Sequence, residues 1–476
     1  MRVKQIARLM VAALGATFVV VSPLGSGVAY AESTVGLGIE TYSAMVVDPA
    51  HGRLFFSPGR GGAGVRVTDL SGGSQTTIPG LPDAHGMVLS PDGSTLHVAL
   101  REAGAVAAID TTTLTETARY SVGTGTCPTW LAPAGGKLYF GYGCTFGKGL
   151  LGSIDVRGGT PVVALGLPLD GTFTGPPLLR SSPADPDLLL ATDRSSVTTP
   201  YSSRATRYDV SSGTPSLVAS LPWDACTGLH DAALTPDAGK VILGCSFVNG
   251  RTVAATAHVA FSTTDLSAAG EYPSGRWPTA VTTSPNGSFV IVGSTDRGQA
   301  SAIRVERPDG TLVRRYDLPQ GSYLERQGLA VGADNSTLYA VTTDQDGRNP
   351  TLRVLTDITR TGSTLTLSAP STSTHRQKVT VTGSLAFTGA SVSTPWTLRV
   401  ARTDLTGTHP LPDVTTTATG TFSFSDTPRF AGANTYTVTF PGDAVYLGTS
   451  QSVTVQVSSF SAATRQQPTT TVTPRR

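Results

Sequence analysis

The stretch GMVLSPDGSTLHVA, residues 86–99, has two short apolar runs on either side of the turn sequence Ser90-Pro91-Asp92-Gly93. Proline presets the φ torsion of the first corner of a tight turn, and glycine accepts the positive φ of the next corner. Short apolar runs bounded by such turn residues are typical of strands. The stretch therefore predicts a β-hairpin.

This hairpin pattern recurs along the chain. At intervals of 42–53 residues, its turn position is occupied by Pro49, Pro91, Pro133, Pro183, Pro236, Pro285 and Ala333. A third strand follows each hairpin, and a more variable fourth strand precedes the next unit. Four short strands repeated at this period are typical of a β-propeller, so the seven hairpins predict seven blades.

The seventh unit has only three strands after Gln327. Its missing outer strand is predicted to be TVGLGIET, which begins at Thr34, just before the first hairpin. The start of the propeller would then close its last blade and remove an open sheet edge.

The hairpin at 86–99 and the following AVAAIDTTTLTETARYSVGTGTCP, residues 105–128, resemble the YVTN-type repeat of secreted bacterial propellers. That group is similar to the seven-bladed lactonase-like propellers. The resemblance covers the chain from about Ser33 to Asp357 and implies the fold more strongly than an activity, because propellers host many unrelated functions.

The composition changes near Thr361, where Thr, Ser and Val alternate in strand-like runs. The segment YTVTFPGDAVYLGTSQSVTVQV, residues 436–457, resembles the end of bacterial immunoglobulin-like modules. We therefore predict an all-β chain, with a seven-bladed β-propeller at 33–358 and a C-terminal immunoglobulin-like β-sandwich at 362–458. Residues 459–476 are predicted to be a disordered tail.

The first 31 residues have the pattern of a secretory signal peptide. Basic residues Arg2, Lys4 and Arg8 precede an apolar run from Leu9 to Val21, and Ala29-Tyr30-Ala31 fits the cleavage site. We expect a secreted, extracellular and monomeric protein with no transmembrane segment after cleavage. With 14% charged residues and a net charge of +2, the chain is not expected to bind nucleic acid.

Four cysteines fit an oxidising compartment. Cys127 and Cys144 bracket the third hairpin, and Cys226 and Cys245 bracket the fifth. Because an antiparallel hairpin brings such ends together, we predict the disulfides Cys127–Cys144 and Cys226–Cys245. Their spacing does not suit a zinc site.

Candidate ligand-binding residues follow from counting six residues back from each turn, which reaches the mouth of the propeller channel. This ring comprises Ser43, His85, Cys127, Pro177, His230, Thr279 and Gln327. Asp83, Asp224 and Asp231 lie nearby in the sequence. The predicted ligand site consists of His85, His230, Arg276, Trp277, Glu325 and Arg326. The other interpretation is that these positions are polar only because the channel is filled with water.

No motif for nucleophilic, metal or phosphate chemistry is present, and no catalytic residue or cofactor is predicted. We expect a non-catalytic binding or cell-surface protein whose propeller face recognises an extracellular protein, peptide or glycan. The alternative, implied by the family resemblance, is a lactonase-like hydrolase acting through His85, His230, Glu325 and Arg326 at the channel mouth.

The sequence DQDGRN, residues 344–349, has the oxygen-rich look of part of a calcium loop, with Asp344 and Asp346 as candidate ligands. It lacks the remaining ligands of such a loop. A polar turn between two strands is the other interpretation.

Overall fold

The computed structural model describes residues 32–145, 148–157, 160–167, 173–193, 205–222, 225–248, 253–296 and 301–459. The predicted signal peptide and residues 460–476 of the predicted tail lie outside these ranges. All regular secondary-structure elements within the described ranges are β-strands, so this part of the chain is all-β, as predicted. No helix long and apolar enough to cross a membrane occurs in it.

The first 28 strands belong to the repeated hairpin region. In chain order they are β1 (Glu32–Gly36), β2 (Ala44–Asp48), β3 (Arg53–Ser57), β4 (Gly64–Asp69), β5 (Thr76–Pro79), β6 (Ala84–Leu89), β7 (Thr95–Leu100), β8 (Ala105–Asp110), β9 (Thr115–Ser121), β10 (Pro128–Ala134), β11 (Lys137–Tyr142), β12 (Leu150–Asp155), β13 (Val162–Ala164), β14 (Leu178–Ser182), β15 (Asp185–Thr192), β16 (Ala205–Asp209), β17 (Ser216–Ser220), β18 (Cys226–Leu234), β19 (Lys240–Val248), β20 (Ala257–Ser262), β21 (Ala268–Pro273), β22 (Pro278–Thr283), β23 (Val290–Ser294), β24 (Ala302–Glu306), β25 (Leu312–Asp317), β26 (Tyr323–Val331), β27 (Leu338–Thr343) and β28 (Thr351–Leu355).

These strands form seven antiparallel four-stranded sheets in the described chain. We number them in chain order: sheet 1 (β2–β5), sheet 2 (β6–β9), sheet 3 (β10–β13), sheet 4 (β14–β17), sheet 5 (β18–β21), sheet 6 (β22–β25) and sheet 7 (β26–β28 with β1). The first strand of each sheet, here called its inner strand, lies beside the inner strands of the two neighbouring sheets. Because β26 also lies beside β2, the sheets form a ring around one axis, as in a propeller-type fold.

Strand β1 closes this ring. It pairs with β28, from Glu32 opposite Leu355 to Gly36 opposite Thr351. The predicted closing segment is thus confirmed, although the strand covers 32–36 and not the whole of 34–41. The guanidinium of Arg353, which is 7% exposed, also forms an ion pair with the carboxylate of Glu32.

The sheets bury both of their faces. In β3 the consecutive residues Leu54, Phe55 and Phe56 are all fully buried, although neighbours along a strand point to opposite faces. Burial on both sides follows from stacking each sheet between two others. It explains why so few charged residues occur in the repeats.

The last eight strands form two further sheets. They are β29 (Ser363–Ser368), β30 (Thr372–Thr374), β31 (Val379–Phe387), β32 (Thr397–Asp404), β33 (Gly407–Thr415), β34 (Thr421–Asp426), β35 (Gly432–Phe440) and β36 (Thr449–Ser458). The order is β29-β31-β34 in one sheet and β30-β36-β35-β32-β33 in the other. Phe387 and Phe422 of the first sheet share a core with Leu398 and Phe440 of the second, so the sheets pack face to face.

Both predicted disulfides are present. Cys127 is bonded to Cys144 in sheet 3, with a Cα–Cα distance of 5.2 Å, and Cys226 to Cys245 in sheet 5, at 5.4 Å. They connect the hairpin ends that lie away from the turns. Two disulfides are consistent with an extracellular protein.

The two disulfides differ in exposure, which predicts different rates of reduction. Cys144 is exposed, whereas Cys226 and Cys245 are only 2% and 0% exposed. Because exchange requires a thiolate to reach a sulfur atom, dithiothreitol should open Cys127–Cys144 first in the native protein. Alkylation with mass-spectrometric peptide mapping measures this order, and equal labelling of all four cysteines at early times would contradict it.

Ring closure predicts a specific effect of Glu32→Ala. The substitution leaves the buried guanidinium of Arg353 without its carboxylate and should lower the free energy of unfolding by about 1–2 kcal/mol. The matched control is Glu40→Ala, because the ion pair of Glu40 with Arg348 joins side chains that are 71% and 60% exposed. The control should change stability by less than about 1 kcal/mol. Denaturant unfolding measures both, and equal effects would count against a role of the closing strand.

Candidate functional site at the channel mouth

Five of the seven inner strands of the described sheets share an irregularity near the end where they begin. In sheet 5, Leu229 lies opposite Cys245 and Asp231 opposite Gly244, so His230 is an extra residue that the strand register skips. The corresponding residues are His85 and Gly86 in sheet 2, Thr129 in sheet 3 and Thr279 in sheet 6. Each is a β-bulge, which frees a residue from the ladder and redirects its side chain.

The bulge of sheet 7 is the longest. Leu324 pairs with Thr342 and the next pair joins Leu329 to Ala340, so residues 325–328 leave the ladder. Glu325 and Arg326 lie in this bulge and line both of the cavities at the channel mouth. The hydroxyl of Thr343 donates a hydrogen bond to Glu325 Oε1 at 2.6 Å and helps to fix the carboxylate.

The first cavity, of about 490 Å³, lies over sheets 1 to 3. Its wall combines His85 and Ser43 with the aromatic side chains of Tyr42 and Trp130. The guanidinium groups of Arg60 and Arg101 line the same space. Together with Arg326 they make this half of the mouth rich in positive charge.

The second cavity, of about 470 Å³, lies over sheets 5 to 7. His230, Trp277 and Tyr323 line it, together with the carboxylates of Asp296 and Asp344. Trp277 has a φ of 60°, in the left-handed region, and its indole ring meets the ring of Phe247 edge-on at 5.6 Å. The backbone turn and this contact hold the indole at the cavity wall.

The environment of His85 differs from that of His230. His85 Nδ1 lies 3.2 Å from Ser43 Oγ, and Nε2 lies 3.8 Å from a carboxylate oxygen of Asp83. His230 is 7% exposed, and its Nδ1 donates to the carbonyl of Pro278 at 2.8 Å. Its Nε2 lies 3.1 Å from the hydroxyl of Ser246, which is buried.

The floor of the mouth is also polar. Tyr42 donates a hydrogen bond to the carbonyl of Gln327 at 2.7 Å. Burial, with a smaller contribution from Glu325 and Asp231, raises the pKa of the Tyr42 hydroxyl well above its usual value. Below it, Asp231 forms an ion pair with Arg180 at 2.9 Å inside the channel, so both charges there are compensated.

The structure brings most of the predicted ligand-site residues to one place. Glu325 and Arg326 join the two cavities, His85 lines the first, and His230 and Trp277 line the second. Arg276 is exposed and lines neither cavity. Of the acidic residues near the ring, Asp83 is buried behind His85, Asp231 lies inside the channel, and Asp224 lies outside the described residues.

The candidate calcium ligands lie in a turn between β27 and β28. The carboxylate of Asp344 accepts hydrogen bonds from the backbone N–H groups of Asp346 and Arg348 and from the side chain of Asn349. These bonds lower the pKa of Asp344. The carboxylate thus stabilises its own turn, as in the polar-turn interpretation, while also facing the second cavity.

Counting back from the turns missed the residues that follow the second strand of each hairpin. Arg60, Arg101 and Asp296 come just after β3, β7 and β23, and they lie at the mouth because an antiparallel hairpin returns to its starting end. Counting forward from the turns would have found them. Tyr42 directly precedes the ring residue Ser43, and Trp130 directly follows the bulge residue Thr129, so both could have been found as large aromatic residues at the starts of inner strands.

Comparisons with known proteins support the fold. The sequence matches no known protein family and no curated protein. The structure is similar to a chain of hydrazine synthase from Kuenenia stuttgartiensis, with 18% identity and a TM-score of 0.52 over 67% of this chain and 96% of that one. It is also similar to a chain of a mitotic checkpoint complex, with 15% identity and a TM-score of 0.51 over 74% and 98%. Both are propeller-type folds, and at these identities the likeness concerns the fold alone.

A buried histidine behind the second cavity predicts a pH dependence of stability. His258 in β20 is 0% exposed, and burial, with a smaller effect of His230, lowers its pKa to about 3. Below pH 6.5 the unfolded chain binds a proton that the folded chain does not, so stability falls as the pH falls. Between pH 7 and pH 5 this group alone should remove about 2 kcal/mol.

Denaturant unfolding at a series of pH values measures this effect. His258→Gln should flatten the decline between pH 7 and pH 5, because the new side chain does not titrate. His409→Gln is the matched control, since the His409 side chain is 43% exposed, and it should leave the decline as in the parent protein. An unchanged decline in His258→Gln would show that another group is responsible.

Proposed function

We propose that this protein is a secreted, YVTN/lactonase-like seven-bladed β-propeller followed by an immunoglobulin-like domain, and that it is an extracellular binding protein. The channel mouth is its recognition platform, and the partner is an extracellular protein, peptide or glycan. Seven four-stranded sheets in a ring and a two-sheet sandwich support the architecture. The proposed function needs no catalytic step.

One observation carries the proposal: two adjoining cavities that share Glu325 and Arg326. Each has a volume in the range of about 300–1,000 Å³ that is usual for ligand sites. Each also combines aromatic rings with charged groups, Trp130 beside arginines in the first and Trp277 beside carboxylates in the second. Aromatic faces with polar groups around them suit sugar rings and peptide side chains.

The alternative, a lactonase-like hydrolase that uses His85 and His230 together, has weaker support. The two histidines line different cavities. Both ring nitrogens of His230 lie within hydrogen-bond distance of protein oxygen atoms, so His230 would have to give up a bond before acting as a base.

Binding by the full chain predicts a loss of affinity in Arg326→Ala. Arginine is a frequent anchor in interfaces, so removing a guanidinium shared by both cavities should weaken binding by about tenfold or more. Glycan and peptide arrays identify the bound probe, and calorimetry with that probe measures the loss. Arg276→Ala is the matched control, because this nearby arginine is exposed outside both cavities, and its affinity should match the parent. Failure of the arrays to yield any bound probe, or equal losses in the two variants, would contradict the proposal.

A further inference from the structure

Three side chains at the edge of the first cavity form a serine, histidine and carboxylate series. Ser43 directly precedes the inner strand of sheet 1, and His85 lies in the bulge of sheet 2. Ser43 Oγ is 3.2 Å from His85 Nδ1, and Asp83 Oδ2 is 3.8 Å from His85 Nε2. This is the order of groups found in serine hydrolases, with the two ring nitrogens exchanged.

The burial of the three groups fits the roles of such a series. Asp83 is 1% exposed, and its Oδ1 accepts a hydrogen bond from the backbone N–H of Gly61 at 3.0 Å. Its Oδ2 accepts no hydrogen bond in the described chain and faces the imidazole. Ser43 is only half-buried and lines the cavity, so its hydroxyl is within reach of a bound molecule.

Close packing supports this arrangement. A Cβ atom added at Gly59 would lie 3.1 Å from Ser43 Cβ and 3.6 Å from His85 Cε1, and Gly59 has a φ of 77°. Only glycine both accepts this positive φ and leaves the space that a Cβ atom would fill. The backbone of Gly59 therefore backs the serine and the histidine closely and limits their movement.

The second serine–histidine contact of the mouth lacks these features. Ser246 beside His230 is fully buried, and the other nitrogen of His230 faces a carbonyl oxygen and not a carboxylate. A neutral carbonyl stabilises an imidazolium less than a carboxylate does. The contrast separates a structural serine–histidine contact from one that combines an accessible hydroxyl with a charged partner.

We propose that Ser43 is a nucleophile that accepts acyl groups from esters, with His85 as its base and Asp83 as the positioning residue that stabilises the imidazolium. Ser43 Oγ attacks the carbonyl carbon of the ester while its proton passes to His85. The bond to the alcohol oxygen then breaks, and the alcohol leaves with that proton. Water next gives a proton to His85 and attacks the acyl carbon, and Ser43 regains the proton as the carboxylic acid departs.

The cavity also indicates the class of ester. Arg60 and Arg101 line it and can stabilise the negative oxygen of the tetrahedral intermediate. The cavity has a volume of about 490 Å³, and its wall combines charged and hydroxyl-bearing residues with the aromatic residues Tyr42 and Trp130. A short acyl group on a polar alcohol, such as an acetyl group on a sugar hydroxyl, fits these surroundings. This reaction goes beyond the proposed binding function and does not depend on it.

A fluorophosphonate probe tests the nucleophile directly. Serine attack on the probe forms a phosphorus–oxygen bond with loss of fluoride. In the folded full chain, peptide mapping should find the added mass on Ser43, and heat denaturation before labelling should abolish it. Labelling at another residue, or none under conditions that label a known serine esterase, would overturn the proposal whether or not a binding partner has been found.

Hydrolysis of p-nitrophenyl acetate tests the reaction. We expect faster turnover of the acetate than of p-nitrophenyl octanoate, and a loss of about 100-fold or more in Ser43→Ala and His85→Gln. Ser452→Ala is the matched control, because this serine lies exposed on the sandwich, and it should retain the full rate. Thermal unfolding checks that each variant is folded, and a folded Ser43→Ala protein with the parent rate would exclude Ser43.

The pH–rate profile distinguishes the proposed role of Asp83 from a purely structural one. The negative carboxylate favours protonated His85, so Asp83→Asn should shift the acidic limb of the pH–rate profile towards lower pH while reducing the maximal rate. A folded Asp83→Asn protein with lower rates and an unshifted profile would remove Asp83 from the proposed series.

Discussion

Backbone pairing between β1 and β28 is the interaction on which the arrangement of the sheets depends. It joins the first described strand to the sheet that completes the ring and brings the inner strand of sheet 7 beside that of sheet 1. Without closure, sheets 1 and 7 would expose to water the apolar side chains that they bury between them, among them Leu54 and Phe56 of sheet 1 and Tyr339 and Leu352 of sheet 7. The ion pair between the buried Arg353 of β28 and Glu32 of β1 adds a charged contact between the two paired strands.

The channel mouth is a consequence of crowding around one axis. The inner strands approach each other most closely at the centre, and five of them carry an irregular register near their first residues. A bulge removes residues such as His85, Thr279 and Glu325 from the regular strand register, so that their side chains can turn towards the mouth. The bulges of the inner strands thus supply the polar side chains of the candidate site. Two disulfides then fix the hairpin ends beside the bulges of sheets 3 and 5.

The two halves of the mouth are chemically different. The first carries Arg60 and Arg101 with an accessible serine–histidine pair, whereas the second carries Asp296 and Asp344 with a buried histidine. His230 and His85 occupy the same position in their repeats, yet one is a structural hydrogen-bonding residue and the other meets a hydroxyl and a carboxylate. Equivalent positions in a repeat fold therefore need not share a role, because their neighbours come from different sheets.

The sequence by itself determined the hairpins, the closing strand and the cysteine pairs. Each depends on a local pattern. A proline–glycine turn determines that the two strands beside it pair as a hairpin, and the hairpin determines which cysteines lie close together. Tertiary structure decided which side chains share a cavity. Ser43 and His85 are 42 residues apart and meet only because neighbouring inner strands converge, and Arg276 leaves the predicted site although Trp277 beside it remains. Bulges shift the register by a residue or more, and a shift of one residue reverses the direction of a side chain, so counting along the chain could reach the mouth but not assign its contacts.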